Sequence, residues 1–443
     1  MNASGKIYSS RCWYQGNLLP ATVCYEAGKI TGIFFEKLPG ATDAGEALLM
    51  PGVIDAHVHI NEPGRTNWEG FDTGTRAAAA GGTTSLADMP LNANPVTTTE
   101  EALLQKLNST QNKLHTNVGF YAGLVPGNAA RIPALCKMGV LGVKAFLTHS
   151  GIDEFPNVTE KDLEIAMPLI RDAGSKLLVH AELSDDTTTG LLSNNPFSYQ
   201  AYVASRPKIW ENRAIEMMIH LCRKHRCPVH IVHVSSAEAL PLIAAAKSEG
   251  LPLTAETCAH YIYFKAGMIP DAHPVYKCAP PIREKENNEQ LKAALQSGIL
   301  DFLTTDHSPA PPGIKAFDTG NLQKAWGGIA GLQFLLSAGW SALQDVLSLE
   351  EYIPLVTTNP ARFLGLQESK GLIEIGADAD FVIWQPEINF TVEPSQILHR
   401  YKDTAYAHQK LYGKIVKTII NGITVYEHHK IINLNAGTWL LKK

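Results

Sequence analysis

The sequence lacks the marks of a secreted, membrane-spanning or nucleic-acid-binding protein. Its first residues, MNASGKIYSSRCWYQGN, have no apolar core of the kind that a signal peptide needs. No run of 18 apolar residues occurs, so no transmembrane helix is predicted. The formal net charge is only −5, and the basic residues form no block or stripe, which disfavours nucleic acid as a partner.

Cysteine is scarce as well, and its spacing argues against structural disulfides. The seven cysteines are odd in number, scattered and free of any C-x-x-C pair, so we expect reduced thiols in a cytoplasmic protein. By contrast, hydrophobic residues make up 45% of the 443 residues, which is enough for a large globular core. Histidine occurs 16 times, and its placement carries most of the functional information.

Eight short β-rich runs recur along the chain, separated by segments with helix-like periodicity. They span residues 52–59, 83–89, 116–125, 142–148, 176–183, 228–236, 252–264 and 301–308. Strands that alternate with helices predict a parallel sheet, and eight is the number in a closed (β/α)8 TIM barrel. A doubly wound open sheet is the alternative, but no G-x-G-x-x-G follows the first run. We expect the barrel to span residues 51–365.

The two ends of the chain are predicted to form β structure outside this barrel. Residues 1–50 show apolar alternation without a long helix, and Asn421-Gly422 separates two β-rich runs, a strong hairpin signal. We expect a small β-sandwich domain built from residues 1–50 and 366–443, with the barrel inserted between them. Residues 186–214 form a long excursion after the fifth run, as active-site loops often do.

The first run ends in DAHVH, which places two histidines on one face of a strand. Side chains two residues apart on a strand point the same way, so His57 and His59 project together. A single strand histidine is usually a hydrogen-bonded core group, but two imidazoles buried on one face need two partners. A shared metal ion meets that need.

Four further polar side chains lie in or at the ends of later runs: Lys144, His180, His233 and Asp306. In a barrel the carboxyl ends of all strands converge on one mouth, where catalysis takes place. Imidazole and carboxylate ligands suit zinc or a similar divalent ion. The set is too large for one tetrahedral site, so we expect two ions about 3.5–4 Å apart, bridged by an anion.

The sixth run, PVHIVHVSS, contains two histidines, and either could be the metal ligand of this strand. His230 and His233 are three residues apart, so they should face opposite sides of the strand. His233 is nearer the carboxyl end, and we expect it in the mouth of the barrel. His230 is expected to pack outward against a helix.

The motifs DAHVH, GVKAF, LLVHAE, IVHVSS and TTDHS, in this order, resemble those of the cyclic amidohydrolases in the amidohydrolase superfamily. That group includes dihydroorotases, hydantoinases, dihydropyrimidinases and allantoinases. The resemblance implies that Lys144 is carboxylated and bridges two divalent ions. It assigns His57, His59 and Asp306 to one ion, and His180 and His233 to the other. Zinc is the first expectation, with cobalt, manganese or iron as alternatives, and relatives imply a homo-oligomer, a tetramer or a dimer.

The residues after the histidine pair discriminate within this group. Dihydroorotases typically carry an arginine two residues after H-x-H and an asparagine after D-M-P, where this chain has Asn61 and Leu91. The longest matches, among them NEPGRTNWEGF and KCAPPIRE, are to the allantoinases. This implies hydrolysis of allantoin to allantoate in purine breakdown. Alternatives are a hydantoinase or dihydropyrimidinase acting on another cyclic ureide, a dihydroorotase, or a non-catalytic scaffold, which the six filled positions disfavour.

The resemblance also implies roles in catalysis and substrate binding. Asp306 is the expected base, which takes a proton from the attacking water and returns it to the leaving nitrogen. The expected substrate contacts are Asn61, Arg65, His149, Ala279 and Gly327.

Three of these contacts have open alternatives or depart from the family pattern. His149 stands where hydantoinases place an oxyanion-stabilising tyrosine, but it is alternatively a loop histidine without function. Arg65 is alternatively part of a salt bridge that orders its loop. Ala279 stands where related enzymes often have serine.

Overall fold

A computed structural model describes residues 4–442 of the chain. Five strands precede the first predicted run: β1 (Ser4–Tyr14), β2 (Asn17–Glu26), β3 (Lys29–Phe34), β4 (Thr42–Asp43) and β5 (Leu48–Pro51). None of the helices in the described residues is long and apolar enough to cross a bilayer.

Parallel strands follow, and every predicted run contains at least one of them. They are β6 (Val53–Val58), β7 (Thr83–Asp88), β8 (Asn117–Phe120), β9 (Ala122–Gly123), β10 (Val143–Phe146), β11 (Leu177–His180), β12 (Val229–Ile231), β13 (Leu253–Cys258) and β14 (Phe302–Thr304). Strands β9 to β14 form one parallel sheet in sequential order, and β6 to β8 form another. The predicted parallel α/β sheet is therefore confirmed.

Backbone contacts connect these two sheets at both edges. At one edge, Leu141, two residues before β10, donates its N–H to Phe120 O of β8 at 2.8 Å. At the other edge, an isolated parallel bridge joins Val58 to His307, and His59 donates its N–H to His307 O at 2.8 Å. The last strand segment thus lies beside the first.

Helices fill most of the connections between strands. Within the described residues they are α1 (Phe71–Ala80), α2 (Glu100–Ser109), α3 (Ile132–Lys137), α4 (Glu160–Asp172), α5 (Leu191–Asn194), α6 (Tyr199–Ser205), α7 (Lys208–His225), α8 (Leu240–Ser248), α9 (Ala259–Tyr263), α10 (Lys285–Gln296), α11 (Leu335–Leu343), α12 (Leu349–Val356) and α13 (Thr358–Leu364). Thr159 begins α4 with a capping box, in which its hydroxyl accepts from Asp162 N and the Asp162 carboxylate accepts from Thr159 N.

The core has two layers around the parallel strands. One large apolar cluster lies between strands and helices, and it includes Val118, Val179 and Ile231. A second cluster joins strand residues such as Leu178 and Phe302 to Phe363 of α13. The strands are therefore buried on both faces, as parallel sheets require.

The remaining strands are β15 (Phe381–Thr391), β16 (Lys410–Ile420), β17 (Ile423–Glu427), β18 (Lys430–Ile431) and β19 (Trp439–Leu440). Strand β15 pairs antiparallel with β5, so the two ends of the chain do share one sheet domain. Asn421 and Gly422 both have positive φ, 50° and 78°, and form the predicted hairpin turn between β16 and β17.

Two features of this sheet differ from the expected sandwich. The nine strands β1–β5 and β15–β18 are connected by pairing into one sheet, in the order β18-β17-β16-β15-β5-β1-β2-β3 with β4 on β1. Strand β19 leaves this sheet and pairs in parallel with β8, with Trp439 opposite Val118. Pairing with a neighbouring sheet depends on contacts distant in sequence, which local alternation does not reveal.

Candidate active site

Three of the predicted metal ligands meet at the carboxyl ends of β6 and β14. Asp306 Oδ1 lies 3.3 Å from His57 Nε2 and 3.3 Å from His59 Nε2. One ligand atom from each residue falls within 4.8 Å of the other two, so this group could hold a metal ion. Burial alone would raise the pKa of Asp306, but His57 and His59 lower it below its usual value.

Two more predicted ligands, His180 and His233, lie beside this group. Their ring centroids are 4.6 Å apart, and the rings of His57 and His233 stack at 5.5 Å. Burial lowers the pKa of His180 and His233, and that of His57 as well. These imidazoles are therefore neutral near pH 7, the form that binds a metal.

Lys144 is the sixth predicted ligand, and its amine has no local partner. The side chain is completely buried, and Nζ makes no hydrogen bond to any described residue. Burial lowers the pKa of Lys144 to about 8, although Asp306 and Glu256 oppose the change. An unpaired buried amine is costly, so its surroundings fit a lysine that is modified or bound to an ion.

The backbone leaves regular strand geometry where two of these side chains enter the site. His233 has φ of 40° and Asp306 has φ of 44°, and each lies two residues beyond the end of a short strand. Non-glycine residues in this region are uncommon, and such residues cluster at functional sites. The tight turns bring both side chains toward His57.

The same irregularity overturns the prediction for His230. His230 does not pack outward; it contacts Glu256 of β13, stacks on Phe302 of β14 at 5.2 Å, and belongs to the interior beneath the site. The prediction was wrong because alternation applies only while the strand continues, and β12 ends at Ile231.

Sequence reasoning missed two carboxylates that hold the histidines. Glu256 Oε1 accepts the Nδ1–H of His57 at 2.6 Å, and Glu182 Oε2 accepts the Nε2–H of His180 at 2.7 Å. Arg206 donates to Glu182 from Nε at 3.2 Å and from Nη2. A signal existed, because an acidic residue inside an apolar strand such as LTAETC needs a buried partner.

A cavity of about 520 Å³ opens above His180 at the carboxyl ends of the strands. Ala279 and Gly327, both predicted substrate contacts, line it. His149 lies at its rim, with 61% of its side chain exposed. The long 186–214 segment supplies further wall residues that were not predicted, among them Arg206 and Trp210.

Two predicted substrate contacts lie elsewhere. Asn61 is completely buried, and its Nδ2 donates to Pro309 O at 3.4 Å. Arg65 donates to Glu154 Oε1 at 2.7 Å and to Asn92 O at 2.8 Å. Neither residue is among those that line the cavity. Arg65 therefore makes the kind of salt bridge expected if it orders its loop instead of binding substrate.

A second cavity, of about 620 Å³, lies at the amino ends of the strands. Lys176, Leu253 and Phe302 are among its lining residues, and none of the predicted site residues is. In enzymes with parallel barrels the amino ends serve stability rather than catalysis. The cavity above His180 is therefore the candidate catalytic cavity.

Comparisons with known proteins agree with this geometry. The amidohydrolase family matches residues 48–425. The allantoinase of Streptomyces avermitilis is 44% identical over 409 residues, covering 91% of both chains. The Arabidopsis thaliana allantoinase is 42% identical over 88% of this chain and 79% of that protein. Among solved structures, the L-hydantoinase (dihydropyrimidinase) of Arthrobacter aurescens has a TM-score of 0.92 at 28% identity, covering 98% of this chain and 99% of the other.

Proposed function

Since the chain belongs to the amidohydrolase family, we propose that it hydrolyses the cyclic amide of allantoin, opening the hydantoin ring to give allantoate. The observation that carries this proposal is the convergence of His57, His59 and Asp306 in one group. His233 connects this group to His180, which lines a cavity large enough for a small cyclic ureide. The identity to curated allantoinases over most of the chain gives the substrate.

The proposal includes a closed (β/α)8 barrel over residues 51–365. Two contacts support closure because they join the two parallel sheets at both edges: the bridge between Val58 and His307, and the hydrogen bond from Leu141 N to Phe120 O. The accompanying β-domain would comprise residues 1–50 and 366–443. Strand β19 is the exception, because it pairs with β8 of the barrel.

The residues present fit a site for divalent ions. His57, His59 and Asp306 would hold one ion, and His180 and His233 a second. Carboxylation of Lys144, in which the neutral amine adds to carbon dioxide and loses a proton, would provide an anion to bridge them. The unpaired, buried Nζ and its lowered pKa support this assignment, since only the neutral amine is nucleophilic. Zinc is the first candidate on ligand type.

When bound, divalent ions lower the pKa of water and polarise a carbonyl oxygen. Asp306 then performs the proton transfers, taking the proton of the attacking water at its carboxylate and delivering it to the leaving ring nitrogen. The His57 and His59 contacts keep Asp306 ionised, which a base requires. Ala279 and Gly327 would face the ring with backbone groups, and a methyl group at Ala279 does not remove those contacts.

His149 would shape the outer part of the site. His149 accepts a hydrogen bond from Gly151 N at 3.1 Å through Nδ1, which leaves Nε2 as the protonated nitrogen at the rim. An N–H in that position suits a carbonyl oxygen of the substrate. For Arg65 the pair with Glu154 supports loop ordering in place of substrate contact.

A ring-opening assay tests the function. Purified protein loaded in turn with zinc, cobalt or manganese is given allantoin, hydantoin, dihydrouracil and dihydroorotate at equal concentrations. We expect the highest kcat/KM with allantoin and essentially none with dihydroorotate. Preference for hydantoin or dihydrouracil would favour the second candidate, a hydantoinase, which the TM-score of 0.92 supports. A protein that binds no metal and opens none of the four rings would favour the non-catalytic scaffold.

Assembly and location complete the proposal. A homo-oligomer, a tetramer or a dimer, is expected from relatives, and light scattering coupled to size exclusion tests it. A cytoplasmic location is supported by the seven cysteines, all of which are unpaired in the described residues.

A further inference from the structure

Below the metal-ligand group, hydrogen bonds join four side chains in series through the interior. Thr254 Oγ1 lies 2.8 Å from His230 Nδ1, His230 Nε2 lies 3.0 Å from Glu256 Oε2, and Glu256 Oε1 lies 2.6 Å from His57 Nδ1. His230, Glu256 and His57 are each no more than 1% exposed.

The chemistry of the four groups sets the direction of every bond. A carboxylate only accepts, so His57 donates its Nδ1–H and His230 donates its Nε2–H to Glu256. His230 Nδ1 is then an acceptor, and the Thr254 hydroxyl donates to it. The unprotonated nitrogen of His57 is therefore Nε2, the atom that faces Asp306 at 3.3 Å.

Glu256 is a buried carboxylate whose ion-pair partners, among residues 4–442, are two imidazoles and no lysine or arginine. Both carboxylate oxygens of Glu256 accept from an imidazole N–H group, Oε1 from His57 at 2.6 Å and Oε2 from His230 at 3.0 Å. Its charge is thus directed at His57 rather than neutralised by a permanent cation. Glu182, the corresponding carboxylate at His180, is by contrast paired with Arg206.

We propose that Glu256 is the positioning residue of His57, and that His230 holds Glu256 in place, so that the two set the affinity of the His57–His59–Asp306 group for its metal ion. The proposal deepens the proposed function and rests on it. A carboxylate behind a metal-binding imidazole fixes its tautomer and raises its basicity, and removal of such a partner typically weakens metal binding about 10–100-fold.

The packing around His230 explains why a histidine occupies this position. Its ring lies nearly parallel to Phe302, at 4° and 5.2 Å, and 4.2 Å from the ring of Phe363. A flat side chain with a donor on one edge and an acceptor on the other fits between these rings and still reaches Glu256 and Thr254. Phenylalanine would keep the stacking and lose both hydrogen bonds.

The test is zinc affinity of the full-length protein, measured by competition with a chromophoric chelator. We expect Glu256→Gln to bind zinc about 10–100-fold more weakly than wild type, because the charge behind His57 is lost. Glu256→Asp should recover part of the affinity, since the charge returns at a greater distance. His230→Phe should lower affinity less than Glu256→Gln, and it covers the case in which Glu256→Gln does not fold.

The matched control is Asp380→Asn, which alters a buried carboxylate in the sheet domain that binds Lys370 at 2.6 Å. It should lower thermal stability and leave zinc affinity unchanged. The absorption spectrum of the cobalt form provides a second readout, since a change in His57 coordination shifts its d–d bands.

Wild-type zinc affinity in both Glu256→Gln and His230→Phe, or a loss no larger than in Asp380→Asn, would overturn the positioning role. The two proposals fail differently. If the wild-type protein takes up no divalent ion, the metal-dependent function falls and the role of Glu256 with it. If wild type binds zinc and opens allantoin while Glu256→Gln binds equally well, only the role of Glu256 falls.

Discussion

Lys106 Nζ lies 2.6 Å from Asp88 Oδ2, and both side chains are buried where β7 ends. The other carboxylate oxygen of Asp88 accepts the backbone N–H of Ile60 at 2.8 Å. This ion pair therefore connects α2 to the residue that directly follows His59. Burial raises the pKa of Asp88 despite the neighbouring ammonium, so the carboxylate depends on Lys106 to remain charged.

Lys106→Met should destabilise the protein by about 3–5 kcal/mol, because it leaves the Asp88 carboxylate buried without a partner. Urea unfolding at pH 7 measures the effect. Lys37→Met is the matched control: Lys37 pairs with Asp43 at 2.5 Å, but both side chains are about half exposed, so little change is expected. Equal decreases in the free energy of unfolding in Lys106→Met and Lys37→Met would contradict this account.

Lys144→Ala should purify with depleted metal and little activity. Short carboxylic acids such as acetate or propionate should restore part of both, because they can replace the bridging anion in the space of the missing side chain. Metal analysis and the allantoin assay, with and without the acid, measure this. A fully metallated and active Lys144→Ala protein would rule out the bridging role.

Asp306→Asn tests the base. The amide keeps the shape of the carboxylate and cannot accept the proton, so turnover should fall by about 10²–10⁴-fold, the usual range for general-base catalysis. Most of the metal should remain, since the histidines are unchanged. The measurement is kcat on protein of determined metal content, and undiminished activity at full metal loading would exclude the assignment.

Arg65→Gln and Glu154→Gln both break the same 2.7 Å ion pair, and Arg65→Gln also removes the hydrogen bond to Asn92 O, so it should have the larger effect on stability. If Arg65 acts by ordering its loop, the double variant should be no worse than Arg65→Gln alone. Thermal unfolding and KM for allantoin are measured on all three. A rise in KM confined to Arg65→Gln would instead indicate contact with substrate.

The Glu182 pair predicts a pH dependence of stability. Burial would raise the pKa of Glu182, but Arg206 and His180 lower it to about 2, below the 4.5 of an ordinary glutamate. The contribution of Glu182 to the free energy of unfolding is therefore complete above pH 4.5 and is lost as the pH falls toward 2. It amounts to about 3 kcal/mol, since one pKa unit corresponds to about 1.4 kcal/mol.

Unfolding of metal-free wild type and Glu182→Gln at pH 7, 5 and 3.5 measures this dependence. The difference between them should shrink below pH 4.5. Glu249→Gln, which breaks an exposed pair with Arg223, is the control and should differ little from wild type at each pH. A wild-type advantage that stays constant to pH 3.5 would contradict the lowered pKa.

Much of the fold could be predicted because its signals are local. Alternating β-rich and helical segments indicate parallel strands, and each predicted run contains one. Asn421-Gly422 indicates its hairpin because these residues tolerate positive φ. The pairing of β19 with β8 has no such signal, since two residues at the end of the chain carry too little pattern to name a partner.

In the candidate site too, some residues could be predicted from local sequence and others could not. His57 and His59 were predicted to lie together from their spacing, and the structure places both against Asp306. His230 was misplaced because its strand ends one residue later. Glu256 was not predicted at all, because a glutamate in a strand shows a need for a partner but not which partner meets it.

Residue types and their spacing were enough to indicate the strand ends, the family, the class of reaction and six candidate ligands. Contacts made on folding were needed to establish that His57 faces Asp306 through Nε2 and binds Glu256 through Nδ1. The same contacts show that Arg65 binds Glu154 and that Lys144 Nζ has no hydrogen-bond partner among residues 4–442. The physical reason is that residue type and local periodicity are properties of short segments, whereas hydrogen-bond direction and burial arise from groups that folding brings together across hundreds of residues.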